Sequence, residues 1–317
     1  MSDKLLQNLP RTILAPMAGY TDFAFRHICR GYGVGLTVTE MISSKALTMG
    51  NALTHKMLHR VDDDNPCFCQ IFGHEPEVLA ESVKIDAVAA YEGIDINMGC
   101  PVKKIVGNGD GSALLENPKL AAKCISAVKL AIGDKPLSVK FRLGVADSAG
   151  AVDFAKVCRD SGADFITVHF RTRKQMYSGN ADYTLLPDVA KVGIPVFANG
   201  DVSTREQYEQ LLGMGAYGVA IGRGALGRPY VFAELNGKGY EMDLYKTVKL
   251  HAEMLLTIYS DRVVASEMKK HVCCYLKGKR NGKNTIVAVN TASTVDEILS
   301  EVAAFVASNP QYQKVQK

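Results

Sequence analysis

Eight short apolar runs, each followed by a stretch with helical spacing, constrain the fold of this chain more than any other feature. The runs recur at intervals of roughly 25 to 40 residues, which is typical of βα units around a parallel sheet. They span residues 12–16, 36–40, 67–72, 93–97, 137–141, 165–169, 196–199 and 218–221. Residues 117–132, between two of the runs, carry apolar side chains at three- and four-residue steps, as an amphipathic helix does. Eight such units predict an α/β fold of the (β/α)8 TIM-barrel type.

The pattern changes after Tyr230, where the strand-like runs stop. Helical spacing returns in residues 244–259, 265–276 and 295–307, and a glycine-containing stretch at 236–240 predicts a linker. We therefore expect a barrel domain at residues 1–238 and a C-terminal all-helical domain at residues 239–317. The same helices could instead pack on the barrel as extensions without a core of their own.

Composition excludes some classes of protein and permits others. No stretch approaches the ~18 consecutive apolar residues of a membrane span, and no apolar leader precedes Pro10, so we expect a cytoplasmic protein without a membrane anchor. The 37 Lys and Arg against 33 Asp and Glu give a net charge of +4, which permits a polyanionic partner without requiring one. The eight cysteines lack the spacing of a zinc site, so we expect reduced thiols and no metal.

The sequence IDINMGCP at residues 94–101 is an apolar run that stops at an Asn, a Gly and a Cys. A strand here would deliver the thiol of Cys100 to its own C-terminal end. The loops at that end of a TIM barrel carry the active site, which makes Cys100 a candidate catalytic residue. The alternative is that Cys100 is a buried apolar residue, as free cysteines often are.

Two glycine-containing turns follow the seventh and eighth runs. The loops after these two strands are the usual phosphate site of a TIM barrel, because their backbone N–H groups face the anion. The turns carry Asn199, Gly200, Asp201, Gly222, Arg223 and Gly224. Glycine lets the backbone approach an oxygen closely, and Arg223 adds a fixed positive charge. The sequence therefore predicts a phosphate cradle, although glycines at strand ends can also serve only to form turns.

Polar side chains end or follow several of the other predicted strands. They are Gln70, Asn97, Lys140, Arg142, His169 and Arg171. Any one of these alone would be read as a solvated rim residue or a structural residue, but strand ends converge at one mouth. Together with an apolar wall from Ala15, Pro16 and Met17 and with the phosphate cradle, they predict a pocket for flavin mononucleotide (FMN). Lys140 beside the N1/O2 edge of the flavin would stabilise the reduced anion.

Residues 101–116 contain three glycines and follow Cys100 directly. Glycine supplies conformational freedom, so we interpret this segment as a mobile lid that carries Lys103 and Lys104. A plain flexible surface loop is the alternative interpretation.

The ordered set of motifs resembles the tRNA-dihydrouridine synthases, and the bacterial B-type branch in particular. The resemblance covers most of the chain: APMAGYTDFAFR at residues 15–26, DINMGCP at 95–101, KFRLG at 140–144, HFRTR at 169–173, ANGD at 198–201 and IGR at 221–223. Lys270-His271 and Tyr275-Leu276 extend it less specifically. Phe170, between the His and the Arg of the HFRTR motif, departs from the small residue expected there.

The resemblance implies roles for these residues. Cys100 matches the catalytic acid of the family. Asn97 and Arg142 match residues that hold the target uracil, and the FMN contacts match Gln70, Lys140, His169, Asn199, Gly200, Asp201, Gly222 and Arg223. The implied reaction has two stages: NADPH (or NADH) reduces FMN, and the flavin then gives a hydride to uracil C6 while Cys100 protonates C5. The base must leave the tRNA fold to reach the flavin.

The resemblance also implies tRNA as the partner, bound through its phosphates. Six basic residues of the C-terminal region would hold these phosphates: Lys269, Lys270, Lys277, Lys279, Arg280 and Lys283. Arg171 and Arg173 would bind the RNA closer to the site. A lysine cluster is otherwise an ordinary solvated surface. We expect a monomer, as the family implies.

Two alternatives remain from the residues themselves. A small-molecule FMN dehydrogenase that acts on a pyrimidine such as dihydroorotate would share the barrel and the flavin pocket, but it leaves residues 240–317 without a purpose. A non-catalytic RNA-binding barrel would not need the polar strand ends. The sequence does not specify which tRNA uridine is reduced.

Overall fold

Eight parallel strands close into a barrel in the computed structural model, which describes residues 2–316. Pairing of β1 with both β2 and β9 closes the barrel, and β2 pairs with β4. The strands of the chain are β1 (Thr12–Leu14), β2 (Leu36–Val38), β3 (Ile42–Ser43), β4 (Cys67–Phe72), β5 (Gly93–Met98), β6 (Leu137–Arg142), β7 (Phe165–His169), β8 (Val196–Asn199), β9 (Gly218–Ile221), β10 (Glu241–Asp243) and β11 (Lys314–Gln316).

The eight predicted runs are confirmed as the eight barrel strands, and the TIM-barrel prediction is confirmed with them. The second run differs in detail, because it is interrupted after Val38 and resumes as β3, which continues the parallel pairing with β4. Phe68, Phe165 and Phe197 lie near the N-terminal ends of their strands and pack with ring centroids 5.4–5.5 Å apart. These rings fill the lower end of the barrel, so the free space lies at the C-terminal end.

The helices of the described residues lie before, between and after the barrel strands. They are α1 (Ser2–Gln7), α2 (Phe23–Gly31), α3 (Ser44–Thr48), α4 (Ala52–Lys56), α5 (Pro76–Ser82), α6 (Asp86–Ala89), α7 (Lys103–Gly107), α8 (Pro118–Ile132), α9 (Ala151–Asp160), α10 (Leu186–Val189), α11 (Arg205–Gly213), α12 (Val231–Leu235), α13 (Leu244–Leu256), α14 (Asp261–Leu276), α15 (Gly282–Thr291) and α16 (Val295–Ser308). The boundaries of α8 follow from local chemistry: the Asn117 side chain caps its first turn, and Gly133 ends it at φ +60°.

The C-terminal helices α13 to α16 surround an apolar cluster distinct from the barrel core. Three of them coincide with the predicted helical segments. The sequence did not predict α15, whose preceding residue Asn281 adopts a left-handed conformation, or the antiparallel pair β10–β11. The domain boundary after residue 238 stays a prediction, since Phe23 and Ala24 of α2 also belong to this C-terminal cluster. Within residues 2–316, no helix has the length and apolarity needed to cross a bilayer.

A half-buried carboxylate joins the barrel to two buried histidines of the C-terminal helices. Asp22 caps α2 by accepting from Phe25 N at 2.9 Å, and its oxygens also lie 3.1–3.2 Å from His251 Nε2 and 3.4 Å from His271 Nε2. Burial alone would raise the pKa of Asp22, but the two imidazoles hold it well below its ordinary value. A second close contact occurs at Gly227, where a Cβ would lie 2.3 Å from the Cys274 carbonyl oxygen.

Candidate active site

A cavity of about 920 Å³ opens at the C-terminal ends of the barrel strands. Its wall includes every residue that the sequence predicts to bind the cofactor: Ala15, Pro16, Met17, Gln70, Lys140, His169, Asn199, Gly200, Asp201, Gly222 and Arg223. Cys100 and the predicted substrate residues Asn97, Arg142 and Arg171 line the same cavity. The volume lies within the ~300–1,000 Å³ that is usual for ligand sites. The roles of these residues stay predictions, but the structure brings them to one place.

Cys100 is held at the end of β5 by the side chain of Asn97. The Asn97 Oδ1 atom accepts hydrogen bonds from the backbone N–H groups of Gly99 (3.1 Å) and Cys100 (2.9 Å), which fixes the turn after the strand. Burial raises the pKa of the Cys100 thiol above its ordinary value. The thiol is therefore protonated at neutral pH and can donate a proton to a molecule in the cavity.

A chain of buried polar side chains leads from the barrel interior to this turn. Ser138 Oγ and Gln70 Nε2 donate to the two oxygens of Asp95 at 2.5 and 2.6 Å. Asn97 Nδ2 then donates to Gln70 Oε1 at 2.9 Å. Burial raises the pKa of Asp95 to about 6. The chain connects β4, β5 and β6 directly beneath the cavity.

Lys140 supplies a positive charge to the cavity wall. Its Nζ donates to Asn199 Oδ1 at 3.1 Å, and Asn199 Nδ2 in turn donates to the Ala220 carbonyl at 2.7 Å. Burial and the neighbouring guanidinium of Arg142 lower the pKa of Lys140 to about 8. Since negative charge nearby would favour its protonated form, Lys140 suits an anion in the cavity.

His169 is a neutral imidazole in this wall. Burial and then the neighbouring cations, Lys140 first among them, lower its pKa far below the ordinary value. Arg171 Nη1 lies 3.4 Å from His169 Nε2, and because a guanidinium can only donate, this nitrogen is the acceptor and the proton lies on Nδ1. Arg171 also forms a 2.5 Å ion pair with Asp201.

The turns after β8 and β9 face each other across the cavity. Asp201 has φ +55° and accepts from Arg223 Nη2 at 2.9 Å, so the two turns are joined by an ion pair. A Cβ on Gly224 would lie only 2.6 Å from the Val202 carbonyl oxygen, which explains why glycine stands there. The single helical turn Arg223–Ala225 begins at this point with N–H groups that lack intrahelical partners.

Two predicted substrate residues hold a loop rather than projecting freely. Arg142 and Arg171 are only 3% and 2% exposed. Their guanidinium groups donate at 2.6–3.2 Å to the backbone carbonyls of Thr172, Met176, Ser178 and Gly179. The loop therefore keeps a fixed conformation and presents Tyr177, which is 54% exposed and lies beside Arg142 and Arg223.

The other predicted substrate residues lie outside the cavity wall. Arg173 forms a bidentate pair with Glu116 at 2.7 and 3.0 Å. Lys103 and Lys104 are exposed on α7, within the segment interpreted as a lid, which contains this short helix and the 3-10 helix Gly111–Glu116. Lys279 and Arg280 follow α14 on the C-terminal side of the molecule.

The cavity also contains residues that sequence reasoning did not assign to it. Met41 follows the break in the second barrel strand, and Tyr177 lies in the loop held by the two arginines. Met41 directly follows the second predicted run, but its apolar side chain does not mark it as a site residue; Tyr177 lies in a loop far from any strand end. Lys277 is the one wall residue, among those the structure describes, that comes from the C-terminal helices.

Residues 13–309 match the family model described as Dihydrouridine synthase (Dus). A probable tRNA-dihydrouridine synthase of Rickettsia conorii is 36% identical and covers 96% of each chain. A tRNA-dihydrouridine synthase B of Xanthomonas axonopodis pv. citri is 36% identical over 92% of this chain and 91% of its own. The solved structure of morphinone reductase covers 72% of this chain and 86% of its own with a TM-score of 0.53 at 10% identity, a likeness of fold alone. The chain belongs to the dihydrouridine synthase family.

Proposed function

We propose that this protein is an FMN-dependent oxidoreductase that reduces the C5–C6 double bond of specific uridines in tRNA to 5,6-dihydrouridine, with NADPH (or NADH) as the reductant. The observation that carries the proposal is the protonated thiol of Cys100 in a cavity whose wall is built from the polar ends of the barrel strands. Names of relatives at 36% identity over almost the whole chain support the same substrate and product.

The residues of the cavity suit FMN. The turns after β8 and β9 offer backbone N–H groups and the Arg223 guanidinium to a phosphate, and a Cβ on Gly224 would fill part of that cradle. Ala15, Pro16 and Met17 form an apolar surface for a planar ring. Lys140 and the neutral His169 offer a positive charge and a hydrogen-bonding edge. FMN, when bound and reduced, would supply the hydride for uracil C6.

Cys100 would complete the reduction by donating its thiol proton to uracil C5. Burial keeps the thiol protonated until it is needed, and Asn97 fixes the turn that carries it. Asn97 also lines the cavity, so its amide can hydrogen-bond the uracil edge. Arg142, through its contacts with Gly99 and Met176, would keep the wall on both sides of the base in place.

tRNA is the proposed macromolecular partner, with residues 239–317 as its helical binding domain. Arg280 is exposed there, and Lys277 extends this surface to the cavity. Lysines and arginines on this surface would bind phosphates and give a salt-dependent affinity. We further propose that the protein acts as a monomer in the cytoplasm, where its substrate and reductant meet.

The test is nucleoside mass spectrometry on tRNA that lacks dihydrouridine, after incubation with FMN-loaded protein and NADPH. We expect dihydrouridine with the wild-type protein, and almost none with Cys100→Ala although that variant still oxidises NADPH. A yellow protein that leaves tRNA unchanged but is rapidly reoxidised by orotate or fumarate would instead establish a small-molecule dehydrogenase.

A further inference from the structure

The buried hydrogen-bond chain beneath Cys100, from Ser138 through Asp95 and Gln70 to Asn97, has a direction, and we call it the polar relay. Its upper end is the pair of backbone N–H groups in the Cys100 turn, which can only donate. Asn97 must therefore present Oδ1 to them, as it does at 2.9 and 3.1 Å. The Asn97 Nδ2 atom then faces Gln70, which must accept its hydrogen bond through the side-chain oxygen.

The lower end of the polar relay is Asp95, and it imposes the same direction. Because the Gln70 oxygen faces Asn97, the Gln70 Nε2 is left for Asp95, at 2.6 Å. An ionised carboxylate accepts at both oxygens, so Asp95 takes this N–H on one oxygen and the Ser138 hydroxyl on the other. Asp95 is 2% exposed and does not line the cavity, so water does not compete for its two contacts.

This direction determines what the cavity wall offers to a ligand. Each side-chain amide has two N–H groups, and the polar relay uses one on Gln70 and one on Asn97. Both residues line the cavity. What remains is a second N–H on Gln70 and, on Asn97, a second N–H whose other contact is the weakly accepting Met41 sulfur at 4.0 Å. The Gln70 oxygen is turned toward Asn97, and the Asn97 oxygen is turned toward the Cys100 turn. The wall is therefore set to donate to carbonyl oxygens.

We propose that Asp95 is a positioning residue that holds the Gln70 amide in the direction that the Cys100 turn imposes on Asn97, so that Gln70 presents an N–H donor to a carbonyl group of flavin while Asn97 faces uracil. This inference rests on the proposed function for the identity of the two ligands. Asp95 acts only through its neighbours, since it does not line the cavity. The nearest cation is Lys140 on β6, which favours the ionised form of the carboxylate.

The test compares two replacements of Asp95 in the full chain loaded with FMN. Asp95→Asn keeps an oxygen for Gln70 and can donate its amide to the Ser138 hydroxyl, so the relay keeps its direction. Asp95→Leu has a similar size but no acceptor, so the Gln70 amide is held only by its contact with Asn97 and can shift away from its wild-type position. We expect Asp95→Leu to shift the visible absorption bands of saturating FMN and to lower kcat for tRNA reduction about tenfold or more. Asp95→Asn should retain the wild-type spectrum and most of the activity.

Ser138→Ala is the matched control, because it removes the other hydrogen bond of Asp95 and leaves the Gln70 arm intact. It should shift the flavin bands and lower kcat less than Asp95→Leu does, because the Gln70 contact with Asp95 is retained. If Asp95→Leu fails to fold, Asp95→Val takes its place, because valine also lacks an acceptor for the Gln70 amide and is smaller than leucine.

Two results would overturn the proposal. One is an equal loss of tRNA-reducing activity in Asp95→Asn and Asp95→Leu, which would indicate that the reaction requires the negative charge of Asp95. The other is a wild-type flavin spectrum in Asp95→Leu. Where Asp95→Val replaces Asp95→Leu, the same two results would do so. The flavin absorption spectra are recorded without RNA, so they test the polar relay independently of the proposed tRNA substrate. A wild-type protein that binds FMN but leaves tRNA unreduced would defeat the proposed function alone.

Discussion

The mouth of the barrel and the C-terminal helices use charged residues in opposite ways. At the mouth, Arg142, Arg171 and Asp95 are buried and bonded to neighbours, so each side chain has one conformation. On the C-terminal helices the core is apolar, and cations such as Lys277 and Arg280 are exposed at the surface. This contrast agrees with the proposed function, in which the mouth would provide fixed geometry for chemistry and the helices would provide charge for binding tRNA.

Replacing the Cys100 thiol is expected to cause the largest loss of activity at the mouth of the barrel. In Cys100→Ala we expect dihydrouridine formation to fall by about 10²- to 10⁴-fold, the usual contribution of a positioned acid. FMN retention and flavin reduction by NADPH should be unchanged, because the thiol serves only the second stage. Single-turnover reduction of unmodified tRNA by prereduced enzyme measures the effect. Cys158→Ala, at a buried thiol outside the cavity, is the control; wild-type product formation in Cys100→Ala would contradict the proposed acid.

The replacement of Gly227 by alanine tests whether the barrel mouth and the C-terminal helices form one structure. Gly227 has φ +71°, and a Cβ would lie 2.3 Å from the Cys274 backbone oxygen of α14. We expect Gly227→Ala to lower the free energy of unfolding by about 2 kcal/mol or more, since the backbones must separate in a strained conformation. Urea denaturation measures this. Gly213→Ala, where a Cβ meets nothing within 4 Å, should change stability little; equal stability of the two variants would mean that the close approach at Gly227 is readily relaxed.

The charge of Lys140 should make the rate of flavin reduction depend on pH. Its pKa of about 8 lies below the ordinary lysine value, so Lys140 is a cation below pH 8 and loses its charge as pH rises through that value. We expect the rate of flavin reduction by NADPH to fall up to about tenfold above pH 8, because the stabilisation of the reduced flavin weakens. Stopped-flow absorbance gives the profile.

Two variants separate Lys140 from other titrating groups. Lys140→Arg keeps its charge and should lack the alkaline fall, whereas Lys140→Met should be slow at every pH. An alkaline fall that survives in Lys140→Met would assign it to another residue.

The smallest effect is expected on the C-terminal helices. Lys279 lies over the Tyr312 ring at 4.8 Å and Arg280 follows it at the surface. Reversing both charges should weaken tRNA binding and reduce the slope of log affinity against log salt by about 1 to 2, since each phosphate that is no longer neutralised lowers the slope by about 1. Filter binding at several salt concentrations measures this, with Lys123→Glu on α8 as the control. Unchanged affinity would indicate that tRNA binds to a different surface of the protein.

The sequence predicts the strand ends well because topology brings them together. Once the eight runs are recognised, residues such as Gln70, Lys140 and Asn199 must meet at one mouth, whatever the details of packing. The structure confirms the runs and brings every predicted cofactor residue to the cavity wall.

Loop geometry could not be predicted in the same way. The resemblance implies a substrate role for Arg173, which stays a prediction, and the structure adds its pairing with Glu116, 57 residues earlier in the chain. No local sequence pattern predicts such a pairing. Arg142 and Arg171 bind carbonyls, which every residue possesses, so the loop around Tyr177 has no sequence signature. Helix α15 begins after a left-handed Asn281, a start signal that periodicity does not contain.

Residues 15–22 belong to both regions at once. Their first half lines the cavity, Tyr20 contacts the His271 ring edge-on, and Asp22 holds two histidines of the C-terminal helices. The barrel consequently cannot be exchanged between proteins independently of the C-terminal helices. A chimera that takes its helices from a relative must take this segment and its histidine partners from the same source, or the cavity wall and the helices will be matched to different partners.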